Sequence, residues 1–312
     1  MPTVSVIMAV KNGARYLPAA VESILAQTFP DFEFIIIDDG SDDDRTPPLL
    51  RSFAARDPRI RLISRPGKGL TPSLNEALSI ATGPFIARMD GDDISTPDRL
   101  GLQVQFLQDN PAVVLLGGAY ELMDGDDRKI RTWRPATDDA TLQRHCLEGS
   151  TPICHPLAMM RAAAVRQVGG YDETYVVAQD LDLWLRLGEV GELACLPQVL
   201  LKYRQHGQSV SEKKQQLQTQ NMQRACEAAW KRRGVEGQYQ CRAADGWRPA
   251  GDRDSRLRFA LQYGWWAFNA GERTTARHYG WKAVAAMPWR LDGWKLVACA
   301  TLKRPEPRVS AD

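Results

Sequence analysis

Phe85-Ile86-Ala87-Arg88-Met89-Asp90-Gly91-Asp92-Asp93 carries an apolar run straight into three carboxylates within four residues. A short apolar run bounded by a turn signal reads as a buried strand, so residues 85–89 are expected to form a strand with the acidic group at its C-terminal end. Residues 32–37 repeat the arrangement and end at Asp38-Asp39-Gly40-Ser41. Val4–Val10 and residues 60–64 read as further strands. Helical patterns separate them: residues 14–27 place Leu17, Val21, Ile24 and Leu25 on one stripe, and residues 46–56 and 73–81 follow. Strand and helix in turn predict an α/β fold, a Rossmann-like, mostly parallel sheet flanked by helices. Ligands of such sheets collect at the carboxyl ends of the strands, where both acidic groups fall.

Beyond Asp93, residues 97–108 read as a helix with Pro97 in its first turn, 113–117 as a strand and 124–127 as a polar turn. Residues 211–233 read as a polar helix or linker. The remainder is expected to be helical, with breaks at Gly251, Gly271 and Pro288.

Composition changes near residue 210. The chain has 312 residues and a net charge of +2, yet residues 1–210 hold 21 Lys+Arg against 28 Asp+Glu, and residues 211–312 hold 19 against 10. Seven of the nine tryptophans also fall after residue 210. This predicts two units, residues 1–210 and a basic, tryptophan-rich helical extension over 211–312. The six cysteines form no C-x-x-C, which argues against a zinc site or redox pair and for buried free thiols. Met1 runs directly into a strand pattern without a basic n-region, and no window nears the roughly 18 apolar residues of a spanning helix. A cytoplasmic location is expected.

Three adjacent carboxylates repel one another unless a cation neutralises them. Magnesium or manganese (Mg2+ or Mn2+), hard ions that favour oxygen, would do so and would also hold a diphosphate. An isolated D-x-D-D is more often a solvated turn. The second acidic pair, at Asp38-Asp39, and Gln179-Asp180 ahead of the helical pattern of Leu181, Trp184, Leu185 and Leu187 argue against that here.

Taken with Val4-Ser5-Val6-Ile7-Met8-Ala9-Val10-Lys11-Asn12-Gly13, Ser23-Ile24-Leu25-Ala26-Gln27-Thr28, Gly69-Leu70 with Asn75, Pro97-Asp98-Arg99-Leu100, Gly169-Gly170-Tyr171-Asp172 and Tyr203-Arg204-Gln205-His206, these motifs resemble those of the family 2 glycosyltransferases, which have the GT-A fold. The likeness covers about residues 2–210. It implies an inverting enzyme that moves one sugar from a nucleotide-sugar donor, UDP first among the nucleotides, to a hydroxyl of a glycan or lipid-linked acceptor. By the same likeness Ala9, Val10 and Asn12 line the nucleotide pocket, Asp39 accepts from the base, and Asp90 lies near the ribose. Asp92 holds the metal, with His206 as a further ligand to metal or diphosphate. Asp180 is the base that takes the acceptor's proton. Lys68, between two glycines, is a candidate for steadying the donor phosphates, and His155 is expected in a structural role. Two departures from the family pattern stand out: Gln179 occupies a position where a glutamate is usual, and no Q-x-x-R-W follows, which favours single addition over processive synthesis.

The basic tail carries apolar stripes through Leu257, Phe259, Ala260, Tyr263 and Trp266 and again from Ala276. Packing as a helical subdomain explains them. Tryptophan with arginine also suits an anionic membrane surface, whereas nucleic acid is not an expected partner.

Overall fold

The computed structural model describes residues 1–206, 215–240 and 252–303; Gly251 and Cys241 lie outside the described residues. Two compact units are present: Met1–Tyr120 with Arg134–Tyr203 and Lys214–Cys241, and Glu121–Trp133 with Arg204–Lys213 and Arg242–Asp312.

In the first unit, β1 (Val4–Val10) lies between β2 (Phe32–Asp39) and β4 (Phe85–Arg88), with β3 (Ile60–Arg65) outside β2, and all these pairs are parallel. The sheet continues from β4 through β8 (Met159–Arg161), β6 (Val113–Asp124), β9 (Glu192–Gln205) and β5 (Ile94–Ser95). Here the β4–β8, β6–β8 and β5–β9 pairs are antiparallel.

Side chains alternate across a strand, and this sorts the strand residues into two cores. On one face Ile7, Ile35, Ile37 and Ile86 meet Leu74 and Ala77 of α3 (Leu70–Ile80) and Leu181 and Trp184 of α7 (Gln179–Leu187). On the other, Val6, Met8, Phe34 and Ile36 meet α1 (Leu17–Leu25), α2 (Thr46–Arg56) and α4 (Arg99–Asp109) through Val21, Ile24, Leu50 and Leu100. Each such fully buried aliphatic side chain contributes about 1.5–3 kcal/mol. The expected α/β sheet, covered on both faces, is therefore present.

Several boundaries differ from expectation for local reasons. The helix expected over 14–27 is shorter, Leu17–Leu25, because Pro18 lacks an N–H and fits only the first turn. The strand expected to stop at Gly117 runs on to Asp124. Gly117 and Gly118 are points of close packing: a Cβ on Gly117 would sit 2.9 Å from Cys195 Sγ and from Ile153 Cγ2, and one on Gly118 2.9 Å from Leu200 Cδ1. The polar stretch 211–233 forms α8 (Gln215–Arg233), which buries Met222, Ala225, Cys226 and Ala229 in the same core as α7. Composition and packing thus divide the chain at different places, since α8 belongs to the first unit. Cys146, Cys195 and Cys226 are buried thiols and Cys154 and Cys299 half-buried ones, none of the five in a disulfide.

The second unit is built on the tip of β6 with β7 (Lys129–Trp133) and three helices, α9 (Arg253–Asn269), α10 (Arg273–Ala286) and α11 (Leu291–Leu302). The expected breaks at Gly271 and Pro288 fall between them, Gly271 at a positive φ of 84°, the left-handed conformation that ends helices. Asp124 accepts from Tyr279 Oη at 3.0 Å, and Phe259, Tyr263 and Tyr279 form an aromatic cluster. No helix among the described residues is long and apolar enough to cross a membrane.

Candidate active site

The register of β1 against β2 pairs Ala9 with Ile37 and Val10 with Asp38, so both strands end together. Just past β1, Asn12 adopts φ 53°, a left-handed conformation that asparagine tolerates better than most residues. Its N–H donates to Ser41 Oγ at 3.0 Å, its Nδ2 to Asp42 Oδ1 at 2.5 Å, and its Oδ1 accepts from the N–H groups of Asp42 and Asp43. Asn12 therefore ties the loop after β1 to the loop after β2. Val10 is buried beneath them and Ala9 is half-buried.

Asp39 is buried at the end of β2, and the chain itself supplies donors to both of its oxygens. Lys68 N–H donates at 2.7 Å and Gly69 N–H at 2.9 Å, while the Arg65 guanidinium pairs with it at 2.6 Å. Burial works against its charge, but these donors together hold its carboxyl below the ordinary value. The Lys68 side chain is exposed, so what Lys68 gives Asp39 is its backbone N–H.

The second acidic group follows β4. Ligand oxygens of Asp90, Asp92 and Asp93 all lie within 4.8 Å of one another. Gly91 between them rests against the end of β1, where an added Cβ would meet Val10 Cγ2 at 3.4 Å. Behind the carboxylates stand two buried arginines. Arg88 pairs with Asp90, and Arg99 donates to the Arg88 carbonyl at 2.8 Å and to Gln103 Oε1 at 3.0 Å. Burial pushes Arg99 down to about 9, whereas in Arg88 burial works the same way but is more than offset by Asp90 with Tyr171 and Asp93, which hold the charge on. Loss of solvent, aided by the charge of Asp92 and opposed by Arg88, raises the carboxyl of Asp90. A divalent cation would relieve that repulsion, and the donors are all carboxylate oxygens, the ligand type that magnesium and manganese take.

Asp180 lies in the first turn of α7, two residues after Ala178, whose φ is 62°. The segment leading to it is pinned from two helices: Thr71 Oγ1 donates to the Tyr175 carbonyl at 3.0 Å and Asn221 Nδ2 to the Val177 carbonyl at 3.0 Å. Burial raises its carboxyl above the ordinary value, although Leu181 N–H donates to it at 2.9 Å, and it feels the charges of Arg88 and Asp90. Tyr171, sensitive to the same Arg88, Asp90 and Asp180, shares a 2.8 Å hydrogen bond with His155 Nε2. His155 is buried against Tyr171 and Trp184, and burial with Arg88 nearby holds it neutral. Asn75 clasps the Tyr171 backbone at 3.0 and 2.9 Å.

The fold thus brings Asp90, Asp92, Asp93 and Asp180 into one electrostatic neighbourhood, and sets Asn12 and Asp39 on the same carboxyl edge of the parallel strands. His206 follows β9 and belongs to the second unit. In sequence Arg88 carries no assigned role and Arg99 has only a place in the Pro97-Asp98-Arg99-Leu100 motif. The signal for Arg88 is a lone arginine inside an apolar strand, just before a carboxylate cluster.

Residues 5–169, just over half of the chain, match the model of Glycosyl transferase family 2. Over 194 residues the chain is 39% identical to a Bacillus subtilis (strain 168) protein named as a glycosyltransferase, which spans 61% of this chain and 68% of that one. It is 31% identical over 237 residues to Escherichia coli chondroitin synthase, covering 76% of this chain but 34% of that protein. Among solved structures it is similar in fold to a mannosyltransferase of Pyrobaculum calidifontis in complex with GDP-Man and Mn2+, with a TM-score of 0.58 at 19% identity over 96% of this chain and 80% of that one. It is similar in the same way to S. aureus TarS in complex with UDP-GlcNAc, with a TM-score of 0.54 at 14% identity over 95% of this chain and 79% of that one. The motifs at the strand ends, the sheet that carries them and these matches agree, and the chain belongs to the family 2 glycosyltransferases, with a GT-A fold.

Proposed function

We propose that this glycosyltransferase moves a single sugar, with inversion, from a nucleotide-sugar, a UDP-sugar by preference, to a hydroxyl of a glycan or lipid-linked acceptor in cell-surface polysaccharide or glycoconjugate synthesis. The observation that carries this reading is the convergence of Asp90, Asp92 and Asp93 in the electrostatic neighbourhood of a half-buried Asp180. Relatives named chondroitin synthase and hyaluronan synthase support a polysaccharide product, and fold neighbours solved with GDP-Man or UDP-GlcNAc support the donor class.

In this reading Ala9, Val10, Asn12 and Asp39 receive the nucleotide, with Asp90 toward the ribose and Lys68 toward the phosphates. Asp92 would hold a magnesium or manganese ion, whose charge offsets that of the departing diphosphate. Asp180 accepts the acceptor hydroxyl's proton as that oxygen forms its bond to the anomeric carbon and the bond to the diphosphate oxygen breaks. One base suffices, since inversion needs no enzyme nucleophile. The basic second unit is the part that approaches the inner face of the membrane.

Single-turnover transfer by Asp180→Asn tests the assignment. Donor binding should persist while turnover drops by roughly two to four orders of magnitude. Transfer at the wild-type rate would remove Asp180 from the mechanism.

A further inference from the structure

α11 is apolar on both sides. Gly293, Leu296 and Ala300 are buried on one face. At 100° per residue, Leu291, Trp294, Ala298 and Leu302 fall on the opposite face, and all four are exposed, Leu291 at 79% and Leu302 at 81%. Apart from Asp292, Lys295 and Thr301 the helix is apolar on both sides, and an exposed apolar patch of this kind marks a contact surface. Beside it α10 exposes Trp281, edge-on to Trp294 with ring centroids 5.5 Å apart, and the loop between the helices exposes Trp289 at 64%. Trp294 Nε1 donates to the Pro288 carbonyl at 2.9 Å, so its polar edge is satisfied within the protein and its ring can leave water without losing a hydrogen bond.

Charge selects the occupant of this face. Residues 273–303 hold six Lys or Arg and one acidic residue, Asp292, and Asp292 pairs with Arg290 at 2.9 Å. Lys282 and Lys295 are exposed next to the tryptophans. A second copy would set this positive surface against itself. Phospholipid head groups of opposite sign attract it, and tryptophan and leucine suit the boundary between head groups and acyl chains.

We infer that the exposed tryptophan and leucine face of α10 and α11, rimmed by lysine and arginine, seats this chain on an anionic lipid surface. This names the surface behind the membrane approach proposed above and requires no assumption about the donor sugar.

Sedimentation of the full chain with phosphatidylcholine vesicles, pure or mixed with phosphatidylglycerol, tests it. The chain should pellet with the mixed vesicles at low salt and bind pure phosphatidylcholine about tenfold more weakly or worse. Trp289→Ser with Leu291→Ser, or Lys282→Glu with Lys295→Glu, should each weaken binding to mixed vesicles by about tenfold or more. All four side chains are exposed, so UDP titration of the same preparations should match the wild type. Vesicle binding that is absent, or unchanged by both pairs of substitutions, would overturn the inference. So would a wild-type dimer that Trp289→Ser with Leu291→Ser makes monomeric, since a second copy would then cover the face. Absent vesicle binding with intact UDP binding would refute only the lipid surface, and absent UDP binding in a chain that pellets would refute only the donor assignment.

Discussion

At the residue scale, two aspartates of the same edge are driven in opposite directions. Asp180 has lost solvent on its buried side and its carboxyl lies above the ordinary value. The base proposed here must be ionised to act, so under that proposal kcat/KM should fall as pH drops through that raised value, with the acid limb of the profile above the ordinary carboxylate range near pH ~4. A limb at or below that range would contradict the assignment. Asp39 is held below its ordinary value by Lys68, Arg65 and Gly69 in spite of burial. A lowered carboxyl stabilises the fold fully above its unfolded value and loses that contribution as pH falls toward the folded one. Asp39→Asn should therefore cost about 2 kcal/mol near neutrality, less at pH ~3, as read from urea midpoints. These roles were legible only in part. A carboxylate at a strand end advertises itself in sequence, but its donors do not, because Lys68 N–H reaches Asp39 from a loop whose path periodicity does not fix, and Arg65 reaches it from β3 through a strand register that periodicity does not fix either.

At the element scale, β1, β2 and β4 stood out because parallel strands buried on both faces read as unbroken apolar runs. β8, of three residues, and β5, of two, are too short for any period to register. β6 was cut short for a different reason: Gly117 and Gly118 imitate a strand end, yet each makes room for a neighbour. Gly117→Ala should destabilise the first unit by about 1–3 kcal/mol through overpacking against Ile153 and Cys195, lowering the urea midpoint without changing the slope. An unchanged midpoint would show that the strand yields there. α8 was ambiguous in sequence because its outward residues are so polar that the stripe of Met222, Ala225, Cys226 and Ala229 is diluted.

At the scale of the whole molecule, the charge asymmetry about residue 210 is real, but packing assigns α8 to the first unit and the β6–β7 tip to the second. Long-range assignments of this kind depend on which surfaces meet, which composition does not encode. What composition did reveal is that acidic residues outnumber basic ones before residue 210 and basic ones prevail after it; under the proposed function the acidic strand ends bind a metal and diphosphate together. Chelation with EDTA should accordingly abolish stabilisation of the chain by UDP in a thermal melt, and added manganese should restore it. The most direct test of the convergence is calorimetric titration of UDP with manganese into the wild-type and Asp92→Ala chains. The wild type should bind at least about tenfold more tightly than the variant, and equal affinity in the two would show that the carboxylates after β4 do not grip the diphosphate.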